Sequence, residues 1–495
     1  MNLAGRFSSL SAGSRSLILA AFLVPVGVGA YSDVKTGISL YRSGKLNEAI
    51  AEFKACAESD PKDADSRQWL GFLLLKKADY GGALAALQEA RSLNADGAEL
   101  RCNLGMAYSG LGKYAEAVVE FEKALSFRAR WPDCLDNLGT AYLRLKQLDK
   151  AISAYKKAAA AAPNDPGIRN NLGLALQEAG RLDEAVAEFR KAATLAPKQA
   201  HIAANLGWAL KQKKDWSGAR SAFEKALAVD PNNYQAHLGL AEVCTALGDR
   251  DKAAQHYEEA LRLKPSDTVS RYNLGVIYVK SGRFSNAAEA FAEVLKATPD
   301  DAEALTYLGW AQFKSGNSAD GLANLKLATQ KNPKLSAAWI NLAAALTATG
   351  DSAEAIKAWQ SVIGLQPDNV SAHLNLGSLL LRETKPEQAL EHYQAAAKVD
   401  PRCAEAHFGM GAALAKLGRS DQAIAAYRKA VELDPKMAVA YNNLGVELEK
   451  KGKVEEAKKQ YRKALEADPK NEEARRNVER FEKTPGSGTP PTPGG

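Results

Sequence analysis

Along this chain apolar residues recur at the three- and four-residue spacing of amphipathic helices, and that pattern itself repeats every 34 residues. Within a repeat, a first apolar segment carries a Leu-Gly pair such as Leu104-Gly105, and a turn marked by Gly follows, as at Gly112. A second segment then presents a small residue, a large apolar one and another small one at i, i+4 and i+7, which is a single helical stripe (Ala117, Phe121, Ala124). Proline closes most repeats, because it cannot continue a helix interior. β-branched runs bounded by turns are scarce, so the pattern predicts an all-α chain built of short helix pairs.

The register does not slip. Stepping from Gly37 by 34 residues meets Gly71, Gly105, Gly139, Gly173, Gly207, Ala241, Gly275, Gly309, Ala343, Gly377, Gly411 and Gly445. Twelve residues after each lies Ala, or Gly321 in the ninth repeat, and four further on comes a large apolar residue such as Phe53, Tyr155, Phe223, Trp359 or Tyr461. The closing prolines run from Pro61 to Pro469. The second and third repeats lack theirs and carry Ala95 and Ala129; these sites, and Gly321 with Leu325, are expected to be points of lower local stability.

This pattern closely resembles the tetratricopeptide repeat family, over about residues 30–471. The resemblance implies a right-handed superhelical solenoid of about 13 helix-turn-helix repeats, whose first helices line a concave face that commonly grips extended peptide. One helix pair buries too little apolar surface to stand alone, so the stability of such an array comes from neighbour interfaces and its last repeat needs a polar cover. The expected organisation is an N-terminal signal or anchor over 1–30, a solenoid of 13 repeats over 31–471, a capping helix over 472–483 and a Pro/Gly-rich disordered tail over 484–495. Val478 and Phe481 are expected to face the last repeat.

Residues 1–30 carry Arg6 and Arg15 with no acid, then an apolar run from Leu17 to Val24 and small residues up to Ala30. This order describes a secretory signal cleaved before Tyr31 and predicts a periplasmic or secreted protein; an uncleaved N-terminal membrane anchor is the alternative. The net charge of +7 is small for 495 residues, and both signs mingle in most helices, so no nucleic-acid partner is expected. Five cysteines at 56, 102, 134, 244 and 403 show no zinc spacing. Cys56 takes a place held elsewhere by Ala or Val, and only Cys102 and Cys134 fall near equivalent positions in consecutive repeats, where a disulfide is the one conceivable pairing.

Once signal, repeats, cap and tail are subtracted, no stretch remains for a catalytic domain, so neither enzymatic activity nor a cofactor or metal is expected. No two histidines stand three or four apart; His373 and His407 occupy equivalent places, where Trp339 and Tyr441 stand in other repeats, which points to ring packing. Gly409-Met410-Gly411 fails as a phosphate loop because Leu414 stands where the third glycine is needed.

Two residues before the marker glycine stand Asn103, Asn137, Asn171, Asn205, Asn273, Asn341, Asn375 and Asn443. An Asn amide both donates and accepts, so a row of them can hold a peptide backbone without reading its sequence, or can tie neighbouring helices together. The row resembles the asparagine ladder in the repeat region of O-linked N-acetylglucosamine transferase. Trp208 and Trp310 are further candidates for the inner face, with Phe72, Met106, Val276, Tyr272, Leu374 and Phe408 nearby. Asp65, Glu99, Asp133, Glu303 and Glu405 stand where a basic clamp on acidic tails would need cations. The expected function is a non-catalytic scaffold binding extended protein or peptide segments. The alternative is a periplasmic scaffold of polysaccharide export or envelope assembly, with the inner aromatics as the glycan contacts.

Overall fold

The computed structural model describes residues 31–482, which form 27 α-helices from α1 (Tyr31–Arg42) to α27 (Glu472–Glu482) and, among the described residues, no strand. The helices divide into two compact units, one ending at Pro265 and holding α1 to α14, the other beginning at Ser266 and holding α15 to α27. Residues 1–30 and 484–495, with their expected signal and tail, lie outside the described residues, as does the side chain of Phe481.

Each helix pair is fixed by local chemistry. An Asp or Asn after the closing proline caps the first helix: Asp63 accepts from the Ser66 amide at 3.0 Å, and Asn233 from Ala236 at 3.0 Å. At the other end of the pair the residue before proline is extended, as Asp60 shows with φ −122° and ψ 98°, because proline excludes its neighbour from helical geometry. Between the two helices all thirteen turn residues have positive φ. Nine of them are Gly; the other four, Ala78, Lys146, Lys214 and Thr384, hold the same left-handed conformation at φ 54–62° without a glycine's freedom.

Packing explains the small residues. A Cβ on Gly105 would stand 2.6 Å from the ring of Phe121, and one on Gly139 2.8 Å from Tyr155, so the marker glycine is the seat of the large apolar side chain sixteen residues later, in most repeats an aromatic ring. The Ala stripe of the second helices is fully buried from Ala49 to Ala457. Gly321 allows a closer approach of the two helices of the ninth repeat. Its Cβ would lie 2.7 Å from the Gly309 carbonyl, and a Cβ on Gly309 2.7 Å from the Gly321 carbonyl, so α17 (Ala302–Lys314) and α18 (Ser318–Lys331) meet backbone to backbone over a buried Leu325.

The missing prolines have separate outcomes. After Ala129's repeat the chain keeps the extended exit, at Arg128. After the second repeat it turns through Asn94 at φ 63°, and an ion network spans the altered exit. Glu120 is buried and accepts from Arg91 at 3.1 Å and from Arg101 at 2.8 Å, while Arg101 also holds Asp96 at 2.6 Å. All five cysteines are free and buried, and the Cys134 thiol donates to the Phe121 carbonyl at 3.8 Å; no disulfide joins Cys102 and Cys134.

Within each unit every helix packs on its neighbours in sequence, and first helices of consecutive pairs also touch. Thus α5 (Ala98–Gly110), α7 (Pro132–Arg144), α9 (Pro166–Glu178) and α11 (Ala200–Gln212) form one continuous row in the first unit. Such contact between alternate helices puts the first helices on the inner side of the stack. At the C-terminal end, Ala474 and Val478 of α27 lie against the last pair, and the Asn477 amide donates to Asn442 Oδ1 at 2.9 Å.

Candidate binding face

The asparagine row runs along the first helices, and its members differ in what they do. Asn171 is 4% exposed, and its Nδ2 donates to the two carboxylate oxygens of Asp136 at 3.1 and 3.3 Å. Asn205 Nδ2 donates to Asn170 Oδ1 at 2.9 Å. Asn477, the next place in the row beyond Asn443, repeats the arrangement with Asn442. In all three the acceptor lies 35 residues earlier, one turn-neighbour away on the preceding first helix. These amides tie one repeat to the next and are not available to a ligand.

Asn171, Asn205 and Asn477 differ from Asn137, Asn273 and Asn341 in the residue 35 positions back, while Asn103 makes no hydrogen bond to the Gln68 that stands there. Behind Asn137 and Asn273 it is Cys102 and Leu238, which offer no side-chain oxygen. Behind Asn341 it is Thr306, whose hydroxyl is turned to the Ala302 carbonyl at 2.7 Å. Asn103, Asn137, Asn273 and Asn341 are half-buried and make no side-chain hydrogen bond among the described residues. Asn375 is exposed and donates to its own helix, to the Ser371 carbonyl at 2.8 Å, while Asn443 accepts from Asn442 at 3.4 Å.

Electrostatics mark the tied segment. Burial pushes the Asp136 carboxyl up to about 6, helped by the nearby Asp165 and Asp133 and opposed by the Asn171 hydrogen bond. Asp133 is raised by burial as well.

The two tryptophans also separate. Trp208 is 4% exposed, its ring edge-on to Phe223 with centroids 5.5 Å apart, so it belongs to the core and not to an inner ligand surface. Trp310 is half-buried, stacked on Phe313 at 5.9 Å, with Lys314 over its ring. Tyr272 and Tyr307 meet edge-on at 5.9 Å on the neighbouring first helices.

The histidine places prove to be hydrogen-bond latches. His237, His373 and His407 each set Nε2 against the carbonyl of the preceding closing proline, at 3.0, 2.9 and 3.1 Å. Trp339 and Arg475 reach the same carbonyl in their repeats. His373 does not meet His407; its Nδ1 faces His392 Nδ1 at 3.1 Å, as His237 faces His256 at 3.2 Å. The signal was in the sequence as a nineteen-residue spacing that occurs twice at equivalent repeat positions, outside the three- and four-residue spacings that place side chains on one helix face.

Tetratricopeptide repeat models match residues 98–164, 137–200, 205–268, 245–311, 278–339, 340–385, 374–438 and 438–471, together most of the chain. The chain belongs to the tetratricopeptide repeat family. No curated protein sequence matches it. Among solved structures, YrrB, described as a tetratricopeptide repeat protein with an unusual peptide-binding site, is 23% identical over 39% of this chain and 99% of its own, with a TM-score of 0.36. PilF of Pseudomonas aeruginosa is 20% identical over 45% of this chain and 100% of its own, TM-score 0.38. MamA of Desulfovibrio magneticus RS-1 is 23% identical over 34% and 96%, TM-score 0.33. Tetratricopeptide repeat arrays are generally non-catalytic scaffolds, and this one has the fold of a protein–protein interaction scaffold.

Proposed function

We propose that the chain binds extended polypeptide segments along the first-helix face of each unit, held by backbone hydrogen bonds to the asparagine amides its own fold leaves unused. The observation that supports this is the division within the row. Asn103 and Asn137 in the first unit, and Asn273 and Asn341 in the second, stand half-buried with both amide functions unspent. Each can donate to a peptide carbonyl and accept from a peptide N–H. A net gain of about 0.5–1.5 kcal/mol per bond, offset by the cost of ordering the peptide, corresponds to micromolar affinity.

This mode is independent of peptide side chains and dependent on the peptide backbone, which gives a direct test. Fluorescence anisotropy with a panel of unrelated flexible peptides is expected to show similar affinities, and N-methylation of the peptide backbone to weaken them. Substituting Asn103, Asn137, Asn273 and Asn341 together by Ala is expected to reduce affinity at least tenfold. Affinity that survives both changes would place recognition elsewhere.

A second reading, a scaffold for envelope polysaccharide machinery, is supported by the half-exposed Trp310–Phe313 stack, a surface suited to sugar rings. Trp310→Ala would then abolish retention on a glycan column and leave peptide binding intact. Both readings place the protein outside the cytosol, on the signal-like order of residues 1–30; N-terminal sequencing of the mature chain is expected to begin at Tyr31.

A further inference from the structure

The fourth and twenty-third places of the repeat face each other across a helix pair. In the third and fifth repeats they hold complementary ions: Arg101 pairs with Glu120 at 2.8 Å and Arg169 with Glu188 at 2.9 Å. In the seventh and eleventh repeats both places are histidine, and two bases stand where the third and fifth repeats keep a cation and an anion. His237 and His373 must carry their hydrogen on Nε2, because the proline carbonyl beside it can only accept. Their Nδ1 lone pairs therefore point at His256 and His392, at 3.2 and 3.1 Å.

We infer that each histidine pair is a binding site for a divalent transition-metal ion of the zinc, nickel or copper class. Two imidazole nitrogens bound at about 2.0–2.1 Å to one tetrahedral ion stand roughly 3.3 Å apart, close to the separations here. Imidazole is the ligand type that suits these metals. The backbone carbonyl that accepts from Nε2 is the outer partner a metal-bound histidine ordinarily has, fixing tautomer and ring orientation. Without the ion, one hydrogen on Nδ1 of His256 or His392 bridges the rings. Binding moves that hydrogen to Nε2 of the same ring, so both Nδ1 lone pairs reach the ion with no net proton released. His237 and His373 are buried while His256 and His392 are half-buried, so the ion enters from solvent and keeps water in its remaining positions. No group of three or more metal-ligating side chains occurs among the described residues, so each site is a two-histidine one. The twelfth repeat supplies the internal control, since His407 keeps the carbonyl contact but faces Ala426, which offers no ligand.

Titration of the untagged full chain with copper(II), followed by calorimetry and electron paramagnetic resonance, tests the inference. Two ions per chain are expected, each with the hyperfine pattern of two nitrogen ligands. His256→Gln or His392→Gln is expected to remove one ion each and the double variant both, while His201→Gln/His407→Gln removes neither. The substitutions at His256 and His392 spare the proline latch, which His237 and His373 make; circular dichroism checks the fold of every variant. Should a variant not fold, protection of His256 and His392 from diethylpyrocarbonate by zinc in the wild-type chain gives the same answer. Unchanged stoichiometry in the double variant, a one-nitrogen spectrum, or no zinc protection overturns the assignment.

Discussion

Asn171 in the first unit and Asn273 in the second hold the same place in their repeats and do different work. Asn171 is buried and bonded to Asp136; Asn273 is half-buried and uncommitted. Around Asn171 the first helices carry a polar ladder, Asp136 to Asn171 and Asn170 to Asn205. Around Asn273 the corresponding residues are Leu238 and Tyr272, and the local contacts are aromatic, Tyr272 lying edge-on to both Phe291 and Tyr307. The difference shows that residue type at a repeat position does not set its role. At these two places the neighbour 35 residues back does, by offering or withholding an acceptor.

The comparison breaks most sharply if the tie is cut. Asn171→Ala leaves the buried Asp136 carboxylate without its donor and is expected to cost about 2–3 kcal/mol of local stability, read as faster hydrogen exchange in α7 and α9. The same substitution at Asn273 is expected to stay within about 0.5 kcal/mol. Equal costs at the two sites would erase the distinction.

Asp136→Asn sharpens it from the other side. The folded carboxyl titrates at about 6 against an ordinary 3.8, so between those values the folded chain holds more protons than the unfolded one, and stability falls as pH rises through the window. Wild-type protection around α7 is therefore expected to be greater at pH 4 than at pH 7. The amide variant still accepts from Asn171 but carries no charge; it is expected to gain roughly 1–3 kcal/mol at pH 7 and to lose this pH dependence.

A smaller effect concerns the turns. Thr384 is a β-branched residue at φ 54°, and Thr384→Gly is expected to add about 1 kcal/mol locally, whereas a glycine turn such as Gly418, changed to Ala, is expected to lose a similar amount. Smallest is Asn273→Ala/Asn341→Ala, which should leave hydrogen exchange unchanged and show itself in peptide binding.

The period, the helix pairs, the turn positions and the buried Ala–aromatic stripe were legible in the sequence, because each is dictated by contacts within one repeat or with the next, and thirteen copies display them in register. Less was legible where one contact partner sits in another helix at an unfamiliar spacing. The close approach of Gly309 to Gly321 and the hold of Glu120 on Arg91 and Arg101 near Ala95 are visible only in the structure. Trp208 and Asn171 read as inner-face candidates by position alone; the tertiary structure buries both. The sequence by itself determined the architecture, since helix periodicity and close packing of small residues are local constraints repeated along the chain. Only the tertiary structure decided which amides are spent and which histidines meet, because hydrogen bonds are satisfied between particular pairs of atoms, and those pairs form only once the helices are stacked.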